Sequence, residues 1–263
     1  MASTDLPHVT LYWLDKSRSQ RIVWLLEALE LPYTLELFHR EKTMLAPAEL
    51  MKIHPLGKSP VIKVTPANGG ASQTLAESGW MTQYLVENTP TGAKLMPTKY
   101  KEGQEGQMGG ETEEYMRYMY ILHYCEGSLM PILVMTIVIN ALKSPQVPFF
   151  IRPITGAAAN RILSTFIFPN AQKHMGMLEG MLKSSSGRYL CGDRLTAADI
   201  LMSFPLIAAR GRLDEIGTWE GGSWAKAFPT INEYVDRLEA EEGYKKSVQK
   251  VEELEGRKFQ PSL

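Results

Sequence analysis

At 263 residues, 44% hydrophobic and 22% charged, the chain has an ordinary globular composition and is long enough for one or two domains. Its 28 basic and 29 acidic side chains leave a formal net charge of -1, which offers no electrostatic footprint for nucleic acid. Cys125 and Cys191 stand far apart and in no metal-ligand spacing. This argues against a disulfide framework or a zinc site and for free thiols in a reducing, cytoplasmic setting.

Met1 to His8 lacks the basic start and apolar run of a secretory signal, so folding is expected almost from the first residues. Val9 to Leu14 is β-branched, aromatic and aliphatic, the pattern of a strand covered on both faces. Ile22, Leu25, Leu26 and Leu29 then repeat at helical spacing between Ser17 and Leu31, and Pro32 stops the helix. A second strand is expected over Tyr33 to Phe38 and an irregular or helical stretch around Pro47 to Ile53. A third strand runs from Val61 to Val64, and the turn Pro66-Ala67-Asn68-Gly69-Gly70 leads to a short fourth around Gln73 to Leu75. Glu77 to Val86 reads as a helix. This order, β-α-β-α-β-β-α, is that of a thioredoxin-like α/β domain over residues 1–88.

Residues 89–110 are rich in Gly, Pro, Thr, Lys and Glu and read as linker. Beyond them, Glu111 to Leu142, Ile162 to Leu182, Ala197 to Arg210 and Phe228 to Glu253 are all helical in period, so residues 111–263 form an all-α C-terminal domain. The uncharged run Gly127 to Leu142 contains Pro131 and Asn140 and falls short of a membrane span, so a buried, kinked helix is expected. Contact with a membrane surface is left open but not predicted.

Three motifs carry a resemblance to cytosolic glutathione transferases, fungal ones above all. Leu56-Gly57-Lys58-Ser59-Pro60-Val61-Ile62 resembles the family's cis-proline loop before the third strand. Glu77-Ser78 resembles its acidic-Ser pair at a helix start, and Gly192-Asp193-Arg194-Leu195-Thr196-Ala197-Ala198-Asp199-Ile200 resembles its C-terminal capping segment. The similarity covers nearly the whole chain and is weakest between Ser144 and Ala159. It implies the glutathione transferase fold, glutathione as co-substrate, no metal, a small hydrophobic electrophile as second substrate and a homodimer. By the same resemblance, Ser59 before Pro60 offers its backbone to the cysteinyl part of glutathione and Lys58 meets the glycine carboxylate. The helix start at Ser78 holds the γ-glutamyl carboxylate while Glu77 accepts from the ammonium. Thr196 and Asp199 cap a helix, a structural role.

A thiol of ordinary pKa, about 8.5, is mostly protonated at neutral pH and needs a donor to hold it as thiolate. Two catalytic candidates stand side by side. Ser17 lies in the loop before the first helix, where Ser17-x-x-Gln20 also reads as a capping box, and Tyr12 lies at the end of the first strand, where it also reads as core. Lys16 or Arg18 acting by charge is the remaining choice. No cysteine stands in this loop, which argues against the thiol-transferase branch of the family. For the electrophile, Tyr115, Tyr118 and Met119 share a face of the long helix and are the expected pocket wall, with a core role as the alternative. A regulatory, non-catalytic role and a glutathione-dependent peroxidase activity are the competing functions.

Overall fold

In the computed structural model, which describes residues 6–261, a four-stranded sheet is followed by an array of helices. The reading of Met1 to Asp5 lies outside those residues. The strands are β1 (His8–Leu14), β2 (Tyr33–Phe38), β3 (Val61–Thr65) and β4 (Gln73–Leu75), in the spatial order β2-β1-β3-β4. β1 pairs parallel with β2 and antiparallel with β3, and β3 pairs antiparallel with β4. The continuous apolar run of β1 is explained by its central place. Val9, Leu11 and Trp13 are buried on one face, Tyr12 and Leu14 on the other.

α1 (Gln20–Ala28) crosses from β1 to β2 and is buried on all sides from Gln20 to Leu26, because it lies between the sheet and the helical half. It packs against α2 (Ser78–Glu87) and, from the helical half, against α7 (Ala197–Ala209) and α10 (Glu242–Glu255). One cluster of buried side chains therefore runs without interruption from Leu11, Trp13 and Trp24 to Tyr118, Leu201 and Tyr234. Gly79 of α2 permits a close approach at this junction, since a Cβ there would stand 2.8 Å from the Leu122 carbonyl oxygen.

The helical half contains α3 (Glu113–Tyr124), α4 (Met130–Ala141), α5 (Arg152–Ile162), α6 (Phe168–Lys183), α7, α8 (Trp224–Ala227), α9 (Pro229–Ala240) and α10. Two departures from the sequence reading have physical causes. α3 runs into α4 through a π-turn at Cys125–Leu129, and α5 runs into α6 through another at Leu163–Ile167. Pro131 and Pro169 follow these turns at the same spacing, each at the start of the next helix. A proline has no N–H to give and its ring crowds the carbonyl four residues back, so the chain widens by a residue just before it. The single helix expected over Phe228 to Glu253 is divided at Glu241, whose backbone is extended. Gly243 beyond the break passes Trp24 so closely that a Cβ would sit 2.3 Å from the indole nitrogen.

By length and composition the run Glu113–Ala141 reaches what a membrane span needs, more than the uncharged stretch alone suggested. Half of its apolar window is packed inside the fold, the behaviour of a core helix.

The buried carboxylate of Asp199 organises the start of α7. It accepts from the Leu190 N–H (3.0 Å), the Thr196 N–H (2.8 Å) and hydroxyl (2.7 Å), and the Tyr234 hydroxyl (2.7 Å). Asp199→Ala strands several buried donors at once, so a loss of about 3 kcal/mol is expected in urea unfolding, well beyond an ordinary cap.

Candidate active site

A cavity of about 450 Å³ opens where the β1–α1 loop, the loop before β3 and the head of α2 meet the helical half. Ser17, Lys58, Ser59, Pro60, Glu77 and Ser78 all line it. The structure thus brings together six residues that are scattered over sixty positions of sequence.

Each is positioned by its element. The Ser59–Pro60 peptide is cis, and Lys58 on the same loop is exposed. Ser78 is the first residue of α2 and is buried, so the unpaired N–H groups of that first turn face the cavity with the positive end of the helix dipole. Glu77 just before it holds a φ of +69°, a conformation that costs a non-glycine residue of order 1–3 kcal/mol and is retained where the surroundings impose it. The side chain is exposed and borders the same anion-attracting turn.

Ser17 is buried at the cavity floor and does not form the expected capping box. Gln20 instead turns away and donates to the Ser247 hydroxyl (2.7 Å), and the Ser19 carbonyl begins the helix by accepting from Ile22 N–H (2.9 Å). The Ser17 hydroxyl donates to the Leu14 carbonyl (2.6 Å), accepts from the Ser19 N–H (3.2 Å) and shares a hydrogen bond with the Ser19 hydroxyl (2.7 Å). Ser19 is in turn 2.8 Å from the Ser59 hydroxyl, which donates to the Tyr12 carbonyl (2.9 Å). Three hydroxyls in a chain have three protons, two of which go to main-chain carbonyls and the third to a bond within the chain. A thiolate arriving beside Ser17 can draw a proton by turning that hydroxyl off Leu14, with Ser19 still donating to it from behind.

The structure does not bring Tyr12 to this cavity. Its ring belongs to a small cluster with Leu14, Leu50 and Val61, 6.4 Å from the Phe38 ring, and burial raises its pKa above the usual phenol value. Nor do Tyr115, Tyr118 and Met119 line it. Tyr118 is fully buried and Tyr115 packs against it at 6.2 Å, with Lys99 over its ring, while Met119 packs on the core. The wall from the helical half is supplied further along the same run by Glu126, Met130, Val134 and Ile137, together with Phe204. Met130 lies about 18 Å beyond Tyr118 at 1.5 Å per residue, which is why the aromatic face misses the cavity. The four-then-three spacing of Met130, Val134 and Ile137 was the sequence signal for this wall.

Arg40 carried no such signal. It donates from its backbone to the Asp15 carboxylate (2.6 Å) and from its guanidinium to the carbonyls of Asp15, Lys16 and Met44 (3.2, 3.1 and 2.9 Å). It thereby fixes the loop that presents Ser17. On the other side of the loop, Arg18 and the fully buried Arg21 both pair with Glu126. Burial opposes ionisation of Glu126, but the two guanidiniums outweigh it and hold the carboxyl below the usual range. Among the described residues no group of His, Cys, Asp and Glu is arranged to hold a metal ion.

Family models described as glutathione S-transferase N-terminal domain and C-terminal domain match residues 17–88 and 147–250. Glutathione S-transferase 1 of Saccharomyces cerevisiae is 31% identical over 250 residues, 95% of this chain and 98% of its own length. A glutathione S-transferase crystal structure from Actinobacillus pleuropneumoniae superimposes with a TM-score of 0.60 at 27% identity, covering 92% of both chains. A glutathione transferase homologue from Lodderomyces elongisporus, crystallised with two glutathione molecules per subunit, shares the fold with a TM-score of 0.65 at 22% identity, over 92% of this chain and 98% of its own.

The ionisation of Glu126 has a measurable consequence. Because its folded pKa is depressed, the stability it contributes is present above the ordinary carboxylate pKa of about 4.3 and is lost as pH falls through the folded value. Glu126→Gln leaves Arg21 buried without its counter-charge, so a loss of about 3 kcal/mol is expected at pH 7. In urea unfolding across pH 7 to 3, the gap between the two proteins should hold to about pH 5 and narrow below about pH 4.

Proposed function

The chain belongs to the glutathione S-transferase family, and from that premise we propose that the Ser17 cavity binds glutathione and activates its thiol for conjugation to small electrophiles. The observation that carries this reading is the convergence of an anion-binding helix start, an exposed lysine and a strand-edge backbone around one buried hydroxyl. The three features match the three parts of the tripeptide. The γ-glutamyl carboxylate sits against the N–H groups at Ser78, with Glu77 facing its ammonium. The cysteinyl backbone pairs with Ser59 beside Pro60, and the glycine carboxylate meets Lys58. This lays the sulfur at Ser17.

Ser17 then holds the thiolate. A charge-assisted hydrogen bond is worth about 1.5–3 kcal/mol, but the hydroxyl gives up its bond to Leu14, worth about 0.5–1.5 kcal/mol. The net effect on the thiol is a lowering of about one pKa unit. The electrophile lies against Met130, Val134, Ile137 and Phe204, so that attack occurs between the two halves of the chain. Residues 1–88 thus act as the glutathione-binding domain and 111–263 as the electrophile-facing helical domain, joined by 89–110. Similarity to a named transferase along almost its whole length favours catalysis over a purely regulatory role. Both cysteines are buried and free, which suits a cytoplasmic setting. The segment from α4 to the second π-turn exposes Val138, Phe149, Phe150, Ile154 and Phe166, apolar surface suited to pairing in a homodimer.

Ultraviolet titration of bound glutathione tests the thiolate assignment. Ser17→Ala should raise the thiol pKa by about one unit with little change in affinity, Tyr12→Phe should leave it in place, and Glu77→Ala with Ser78→Ala should weaken binding of glutathione by tenfold or more. A titration unmoved by Ser17→Ala, or affinity unmoved by the double variant in a folded protein, would overturn the placement. Light scattering at micromolar concentration should give the mass of two chains; a single-chain mass removes the dimer.

A further inference from the structure

Beyond Ser17 lies a second cavity of about 660 Å³, joined to the first at Lys16, Arg40 and Ile137, which line both. Its charged lining is five cations, Lys16, Arg40, Arg212, Arg257 and Lys258, against two carboxylates, Asp15 and Glu255, in a chain whose net charge is -1. The carboxylates are already satisfied. Arg257 spans both, at 3.1 Å from Asp15 and 2.9 Å from Glu255, and Glu255 also accepts from the Trp13 indole (2.9 Å). Arg40 is spent on three main-chain carbonyls.

Three cations remain. Among the described residues Lys16 and Arg212 make no ion pair, and Lys258 has only a loose one with Glu252 at 3.5 Å. The uncharged lining is Trp13, Met44, Ile137, Val251 and Phe259, with Gln260 the one neutral polar side chain among the described residues. Lys16 lines both cavities, stands on a loop with a backbone φ of +49°, and is the immediate neighbour in sequence of the hydroxyl placed at the sulfur.

We propose that this cavity selects electrophiles in which an apolar or aromatic body carries an acidic group: the reacting end stays against Met130 and Val134 in the first cavity, the body passes over the shared Ile137 towards Trp13 and Phe259, and the anion is read by Arg212, Lys258 and Lys16. The inference rests on the reading of the Ser17 cavity as the thiol site. A cleft lined by one sign of charge with apolar walls concentrates the oppositely charged ligand. The chemistry is unchanged from conjugation: with an aryl chloride, the C–S bond forms as the C–Cl bond breaks, chloride leaves with the electron pair, and the thiol proton passes to solvent.

The test separates this inference from thiol activation. Protein saturated with S-methylglutathione, which fills the first cavity, is titrated calorimetrically with 3,5-dinitrobenzoate and with its neutral methyl ester. The acid should bind about tenfold more tightly than the ester, the product of two or three partly exposed ion pairs. Arg212→Gln with Lys258→Gln should bring the two to within about threefold, as should 0.5 M salt. In parallel, kcat/KM is compared for 4-chloro-3,5-dinitrobenzoate and its methyl ester, each divided by its uncatalysed rate, and the same double variant should lower that ratio by about threefold or more. An ester that binds as well as the acid, or a preference that survives the double variant, overturns the proposal. Retained, variant-sensitive binding of the acid without conjugation of either chloride would instead sink thiol activation and leave the anion site standing.

Discussion

The arrangement depends on one buried guanidinium. Arg21 lies inside α1 with no exposure and is held by the Glu126 carboxylate, the Leu201 carbonyl (2.9 Å) and the face of Phe204 (5.8 Å to the ring centre). A buried charge in that place is costly without its partner, so the docking of α1 on the helical half that brings Arg21 to Glu126 is favoured over any that separates them. That docking fixes the Ser17 loop, which leads into α1, against Glu126 and Phe204, which close the far side of the cavity. The pair contributes to geometry more than to stability, since a well-packed apolar replacement of such a pair is often no less stable.

The proposed chemistry follows from what that docking leaves unsatisfied. The hydroxyl chain Ser17–Ser19–Ser59 has no spare proton, and the first turn of α2 has spare N–H groups. The first condition makes the site a modest thiol activator whose donor has to change partners; the second makes it a strong holder of carboxylate. On the proposed reading, binding and activation are thereby assigned to different groups, so loss of the Ser17 donor alters the thiol and leaves the carboxylate contacts in place.

The sheet was legible in the sequence because each strand carries its own signal: the apolar run of β1, the Tyr33–Phe38 alternation of β2 and the Asn68-Gly69 turn before β4. The cis Ser59–Pro60 loop and the α2 start were legible as local motifs. Contacts between distant segments were not. Ser17-x-x-Gln20 has the letters of a capping box, but Ser247, far away in the chain, claims the glutamine. The aromatic stripe of α3 looked like a pocket wall, and it is the docking of α3 on α2 and α7 that turns Tyr118 into core. Arg40, fixed by carbonyls of a loop twenty-odd residues earlier, had no pattern to betray it.

The π-turn at Cys125–Leu129 has a consequence for how such an enzyme changes over evolutionary time. Each residue of an α-helix advances the side chains by about 100°, so gain or loss of one residue normally rotates everything downstream out of place. Here the turn already absorbs one extra residue between the part of the helix that forms core, around Tyr118, and the part that lines the cavity, from Glu126 to Ile137. A single deletion there would return the helix to regular winding and leave the same stripe of α4, from Met130 to Ile137, on the cavity, while Tyr118, Arg21 and the sheet keep their places. The run can therefore gain or lose one residue at the turn without re-phasing the cavity wall, so that wall is altered by substitution on α4 and is insulated from a change of length upstream of it.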